Sequence, residues 1–509
     1  MTMRLLRLLL LTLLSLPASS CLLDPIEILT PPPGGIVDGS AKYAVDLPGN
    51  AQPRVFVDGA PVTQGWIAQK GRLYGHFPGL AEGAHELRVE YPPFAGPFVP
   101  SATVAFTVGD PARFDVQGSV LQIAVTHADP GMALQLRDSL GGIHQEGEAD
   151  DLGSLIFRGL KAGPGYYVSA PGPPAEVSPW VEVLGSTDSV PDPSFYESQV
   201  LEPGYGYVTT RDGTTLSVYV QMPGPPEEGP YPTLVNYSGY SPSKPGGPLA
   251  IGGGIDPTAF CGDFPVLCDA PDHPSGIIGG VLGFATVGVN MRGTGCSGGA
   301  YDFFEPAQLT DGYDVIEIVA AQPWVKHGKV GMAGLSFPGI SQLFVASTQP
   351  PSLAAITPLS VISDVQHILG PGGMVNDGFA LEWGQQVLDR ADPYGQGWEQ
   401  GRVDAGDTIC EENQLLHSQK VDIIQKAFDN QFYVPEIYDP LSPNTFVDRI
   451  QVPVFTSGQW QDEQTGGHFP DLWNRFAQAP VFKFTGLNGA HADGYTPQIL
   501  IEWKTFLDF

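Results

Sequence analysis

The sequence is poor in positive charge: 24 Lys and Arg stand against 55 Asp and Glu, a formal net charge of -31 over 509 residues. A chain this acidic is repelled by nucleic acid and by anionic lipid surfaces, so neither is expected as a partner. Cysteine is scarce too, and the five cysteines and ten histidines contain no Cys-x-x-Cys or His-x-x-x-His pair. Spacing therefore assigns no metal, and no cofactor is expected. Long apolar runs are missing: the run Leu8 to Leu16 falls short of the roughly 20 residues that span a membrane. What is abundant is Gly (64) and Pro (50), alongside 42% hydrophobic residues, which describes a folded chain rich in turns and short strands and not a disordered one. At about 150 residues per domain, this length implies about three domains.

The first 20 residues have the makeup of a signal peptide: Arg4 and Arg7, the apolar run, then Pro17-Ala18-Ser19-Ser20 before Cys21. Export is expected. The small residues before Cys21 resemble a bacterial lipobox, which would make Cys21 the lipidated N-terminus of a cell-envelope protein; cleavage after Ser20 without lipidation would give a secreted or periplasmic one. Removing Cys21 leaves Cys261, Cys268, Cys296 and Cys410, an even set compatible with disulfides in an exported chain. Of the three pairings, the close spacing of Cys261 and Cys268 favours a local bridge, leaving Cys296 with Cys410.

Short alternating segments such as Arg54 to Val57 and His85 to Tyr91, separated by Gly, Pro and Asp, predict a small β-sandwich over 24–109. A second set, with Val120 to Val125 and Met132 to Leu136, predicts another over 113–185. Neither gathers an acid, a base and a nucleophile, and their partners are left open. A Pro- and Ser-rich linker, 186–204, follows. From residue 205 the pattern changes to α/β. A hairpin is expected at Val208 to Val220 around Asp212-Gly213, with strands at 232–236, 285–291, 329–334, 354–358, 452–457 and 481–485. Helices are expected at 309–322, 340–346 and 499–507, with Asp311 and Asp314 near a helix N-terminus. Residues 363–449 read as a helical insertion, including a run from Glu411 to Phe428. Its Trp383, Trp398 and Phe379 are open to two readings, the lining of a substrate pocket and the commoner one, the cap's own core, so none is named as a binding residue.

The chain is organised around Lys329 to Gly334, Leu335-Ser336-Phe337-Pro338-Gly339 and the apolar stretch from Ile340. A strand, a tight glycine-flanked turn and a helix are the frame that exposes a nucleophilic serine, so Ser336 is the candidate. A literal Gly-x-Ser-x-Gly lies elsewhere, at Gly295-Cys296-Ser297-Gly298-Gly299, but no helix follows it. The same lack argues against reading Gly293 to Gly298 as a dinucleotide loop; Arg292 beside it is expected in a structural ion pair. A serine nucleophile needs a base, and the base needs an acid to orient it. Asp462 and His491 each follow a predicted strand end, in the chain order serine, acid, histidine. Glu463 and Asp493 are rival acids. His468 is a rival base that comes before the last strand.

These pieces resemble the serine hydrolases of the cocaine esterase and X-Pro dipeptidyl peptidase family. The resemblance runs from Tyr207 to His491 through Thr210-Arg211-Asp212-Gly213, Met291 to Gly299, Asp311-Gly312-Tyr313-Asp314, Ala321-Gln322-Pro323-Trp324 and Gly328 to Met332. Gly334-Leu335-Ser336-Phe337-Pro338-Gly339 differs from the family's nucleophile motif by Phe in place of Tyr. The resemblance implies an α/β-hydrolase domain over 205–509 with a helical cap at about 363–449, preceded by the two all-β modules. It implies Ser336 as nucleophile, His491 as base then acid, Asp462 as its orienter, and an oxyanion hole from the Phe337 N–H and the hydroxyl of Tyr240, with Tyr237 as rival. It implies hydrolysis of a small-molecule ester or amide, or of a peptide, through an acyl-enzyme. The family's frequent C-terminal β-jelly-roll has no counterpart before Phe509. Two other readings stand beside this one: an aminopeptidase releasing X-Pro dipeptides, for which no acidic pair is identifiable, and an inactive surface binding or adhesion protein.

Overall fold

The computed structural model describes residues 26–508, apart from 32–33, 38–41, 48–52, 64–65, 70–71, 78, 82, 91–100, 109, 139–141, 172–174, 187–188 and 250–259. The leader and Cys21 lie outside the described residues. Two compact units are present: one runs to Ala112 and includes Gln135–His144 and Gly165–Trp180, and the other comprises Arg113–Leu134, Gln145–Pro164 and the chain from Val181 onward. Residues 113–185 are thus shared between them.

In the first unit, alternation builds two sheets. Glu27–Thr30, Lys42–Asp46, Arg72–His76 and Trp66–Gln69 form one in that order; Ile36–Val37, Ser101–Val108, Gly83–Glu90, Arg54–Val57 and Ala60–Val62 form the other. Tyr43, Val45 and Leu73 from the first and Leu87, Val89 and Phe106 from the second share one buried cluster, which makes the pair a sandwich.

The second unit holds a three-stranded sheet, Asp115–Ser119, Gln122–Thr126 and Leu155–Arg158, and the α/β domain. The latter is built on eight strands: β1 Gly204–Thr209, β2 Thr215–Gln221, β3 Tyr231–Ser238, β4 Ala285–Asn290, β5 Val325–Leu335, β6 Leu353–Leu359, β7 Val454–Gln459 and β8 Phe482–Leu487. Their spatial order is β1-β2-β4-β3-β5-β6-β7-β8. β1 and β2 are antiparallel to their neighbours, and from β4 onward all pairs are parallel. The β3–β5 junction is where the chain leaves one strand towards β4 and the other towards β6. Loops part there and leave a crevice beyond the strand ends.

Both faces of this sheet are covered, which is why its strands are near-continuous apolar runs. Leu234 and Val235 are adjacent in β3, yet both are buried, in different clusters. Val235 packs on the side of α2 (Pro306–Ala320) and α3 (Phe337–Ser347), and Leu234 on the side of α7 (Pro497–Asp508), where α1 (Pro274–Val281) also packs. Between β6 and β7 lie α4 (Val365–Leu369), α5 (Phe379–Arg390) and α6 (Ile423–Asp429) with shorter helical turns. The run expected from Glu411 to Phe428 is not one helix. A helix at Thr408–Asn413 gives way to a 3-10 turn, and α6 starts afresh because Asp422 caps it, accepting from Ile424 N and Gln425 N.

Asp311 and Asp314 also differ from expectation. α2 begins at Pro306, so both lie past its first turn, buried. Their charges are met by arginines instead of the helix terminus: Arg292 reaches Asp311 at 2.6 Å and Asp212 at 2.8 Å, and Arg211 reaches Asp314 at 2.7 Å. The hairpin turn at Arg211-Asp212 is thereby tied to α2 and to the loop after β4. That loop is also tied to the cap by a Cys296–Cys410 disulfide, and Cys261 pairs with Cys268.

Candidate active site

Ser336 sits between β5 and α3 with φ 66° and ψ -128°, a left-handed conformation that costs a non-glycine residue on the order of 1–3 kcal/mol. The neighbours force it. A Cβ on Gly334 would lie 2.6 Å from the Pro338 carbonyl oxygen, and one on Gly339 would lie 2.7 Å from the Leu359 oxygen, so only glycine lets the strand, turn and helix approach. The turn is held by Ser336 N donating to Leu359 O (2.9 Å), and by Gly339 N and Ile340 N donating to Ser336 O (2.8 and 2.7 Å). Ser336 forms part of the wall of a cavity. The Phe337 N–H opens α3, where amides have no intrahelical acceptor. Ser297, by contrast, is buried with its hydroxyl engaged by Asn290 O and Ser217 N.

His491 follows β8 and is 5% exposed. Its Nδ1 lies 2.8 Å from Asp462 Oδ2. A carboxylate only accepts, so Nδ1 carries the proton and Nε2 presents its lone pair. Nε2 is buried and has no hydrogen-bond partner; no bond joins it to Ser336. Asp462, past the end of β7, also accepts from Gln464 N (2.8 Å), Thr465 N (2.7 Å) and the Thr465 hydroxyl (2.7 Å). Burial pushes its carboxyl up, but the bonds and charge of His491 and Thr465 outweigh that and hold it below the usual range. The rivals are engaged elsewhere. Glu463 accepts from the His491 backbone N–H, Asp493 accepts from Ala490 N, and His468 stacks on His367 at the surface.

Tyr240 lies beyond the end of β3, beside Ser336, across the crevice described above. Its hydroxyl accepts from Trp383 Nε1 at 2.9 Å, and the Ser336 side chain is near enough to act on it. The Arg390 guanidinium lies 5.6 Å from its ring centroid. Burial raises the phenol's pKa, and Trp383, Arg390 and Ser336 act in the opposite direction. Tyr237 faces away: it is 1% exposed and donates to Gln308 O, joining β3 to α2.

The cavity above Ser336 has a volume of about 110 Å³ and a wall that includes Phe303, Phe337, Ile340, Ile362, Leu369 and Trp383. A second, more open cleft of about 280 Å³ shares Phe379, Trp383 and Gln464 with it, and adds Tyr240, Gln386 and Arg390. Of the two readings open for Trp383 and Phe379, the structure places both in the pocket wall; the contact of Trp383 with Tyr240 has no local sequence signal, the two being 143 positions apart. Among the described residues, three metal-ligating side chains come together only at His367, His468 and Asp471.

A solved structure of a CocE/NonD family hydrolase from Staphylococcus aureus aligns with a TM-score of 0.45 and 21% identity, covering 60% of this chain and 49% of that one. An aminopeptidase from a marine sediment Thaumarchaeota archaeon aligns at 0.38 and 15%, covering 60% and 50%. An esterase of Pyrococcus furiosus aligns at 0.36 and 12%, covering 64% and 94%. The chain spans about half the length of the first two. No curated protein matches it. The X-Pro dipeptidyl-peptidase (S15) family matches residues 212–493, more than half of the sequence, and the chain belongs to that family.

Proposed function

We propose that this protein is an exported serine hydrolase that cleaves a carboxylic ester or amide with an apolar acyl group through an acyl-enzyme. The observation that carries this reading is the placement of Ser336, in a strained turn, against both an apolar cavity and the Tyr240 hydroxyl. His491 Nε2 takes the Ser336 proton as Oγ attacks the acyl carbon, and Asp462 holds the ring and balances the imidazolium. Negative charge on the former carbonyl oxygen is met by the Tyr240 hydroxyl and the Phe337 N–H. Trp383 supports the tyrosine, because by donating to its oxygen it leaves the phenolic proton directed elsewhere. His491 returns the proton to the leaving group, then activates water to release the acid. Export rests on the leader and the two disulfides, with Cys21 as the proposed lipid attachment point.

The runner-up is release of X-Pro dipeptides, which the family's name favours. Against it, among the described residues the wall of the cavity at Ser336 holds no carboxylate to receive a free amino terminus; its charged group is Lys426, 3.3 Å from Asp302. The test is kcat/KM for a series of p-nitrophenyl esters of lengthening acyl chain beside X-Pro p-nitroanilides. Esters are expected to prevail, with kcat/KM climbing about tenfold or more per added methylene until the cavity fills. A preference for the dipeptide anilides would reverse the order of the two readings.

A further inference from the structure

The geometry points to a metal site unrelated to the hydrolytic groups: we propose that His367, His468 and Asp471 bind one divalent transition-metal ion of the zinc class at the rim of the apolar cavity. His367 lies on α4, whose first turn is fixed by Asp364 Oδ1 accepting from His367 N at 3.1 Å. His468 precedes the short helical turn Phe469–Leu472, and Asp471 N donates to His468 O at 3.0 Å, which sends both side chains off the same side of the turn. The two imidazoles stack with centroids 4.8 Å apart and planes 22° from parallel. One ligand atom from each of the three residues falls within 4.8 Å of the others, and His468 Nδ1 is already 3.9 Å from Asp471 Oδ2.

A tetrahedral ion with bonds of about 2.0–2.1 Å needs its ligands roughly 3.4 Å apart. Reaching that spacing requires the three exposed side chains to rotate so that the two rings leave their stacked arrangement and their nitrogens converge, and water completes the shell. Two imidazoles and one carboxylate suit zinc and its neighbours in the first transition row, whereas calcium and magnesium require oxygen sets. The net charge of -31 raises the local concentration of any dication. Another histidine near two carboxylates fails the same test: His127 presents Nδ1 to Asp115 and Nε2 to Glu412, so its partners lie on opposite sides of the ring and cannot share an ion. No periodic motif announces the site, because its histidines lie on separate elements brought together by the fold.

The position gives the ion a structural consequence. Ile368, next to His367, forms part of the cavity wall, as do Gln464 and Thr465, and Thr465 holds Asp462. A Cβ on Gly466 would lie 3.8 Å from Ile368. An ion shared by His367, His468 and Asp471 clips α4 of the cap to the loop that carries Asp462. The site requires no catalysis by Ser336.

The experiment is calorimetric titration of zinc chloride into tag-free full-length protein, compared with His367→Ala, His468→Ala, His127→Ala and His491→Ala, each checked by circular dichroism. The expected result is one equivalent per chain with micromolar affinity, weakened at least about tenfold by either rim-histidine variant and kept by His127→Ala and His491→Ala. No saturable binding up to millimolar zinc, retention by either rim-histidine variant, or loss in either of the other two overturns the proposal.

Discussion

At the scale of single residues, Tyr240 is the most exposed to test. Its hydroxyl lies near Ser336, and Trp383 points its N–H at the same oxygen. Replacing Tyr240 by Phe removes the proposed oxyanion donor and leaves the Trp383 N–H without its acceptor. The expected outcome is a fall in kcat of about 10²–10³ with little change in KM, read from steady-state ester hydrolysis; an equal loss in KM would assign Tyr240 to ground-state binding instead. Ser336, Asp462 and His491 were legible in the sequence because each is announced by its own surroundings: a glycine-flanked turn, or the end of an apolar strand. Position in the sequence favours Asp462, with Glu463 and Asp493 as rivals; what separates the three physically is that only Asp462 touches the His491 ring, while Glu463 and Asp493 accept from backbone N–H groups. For Trp383 only the possibility of pocket lining was legible, because its bond to Tyr240 joins the cap to the loop after β3.

At the scale of elements, α2 carries an unusual load of buried acid. Asp212 and Asp311 share Arg292, and Glu305, at the start of α2, buries a carboxyl whose Oε1 has no partner. Burial, with the nearby Asp302, pushes the Glu305 carboxyl up to about 7 from its ordinary 4.5. A group raised in this way supports folding fully below pH 4.5 and loses that support as pH rises through about 7. Glu305→Gln, which stays neutral, is therefore expected to raise the melting temperature at pH 8, by the equivalent of about 3 kcal/mol at most, and to change it little at pH 4. Thermal denaturation at the two pH values checks this, and the same shift at both would contradict it. A helix near α2 was legible from its periodicity, but this burial was not: Asp311 and Asp314 have the look of helix-terminus charges in sequence, and their arginine partners come from two other loops.

At the scale of the whole molecule, the α/β order was legible because parallel strands covered on both faces leave continuous apolar runs such as β3 to β5. The division of residues 113–185 between two units was not, since it depends on contacts far apart in the chain. One long-range tie can be weighed: Cys296 and Cys410, 114 residues apart, join the loop after β4 to the cap. Closing a loop of that size restricts the unfolded chain by about 4–5 kcal/mol, so the double variant Cys296→Ser, Cys410→Ser is expected to melt several degrees lower in a calorimetric scan. An unchanged melting temperature would show that the cap is held by packing alone. The account as a whole depends on Ser336 being an activated nucleophile, and the most direct measurement is labelling with a fluorophosphonate probe, with the adduct located by peptide mass spectrometry. It predicts a single adduct on Ser336 that disappears in folded Ser336→Ala; an unlabelled but folded wild-type protein, or an adduct that persists in the variant, would contradict it.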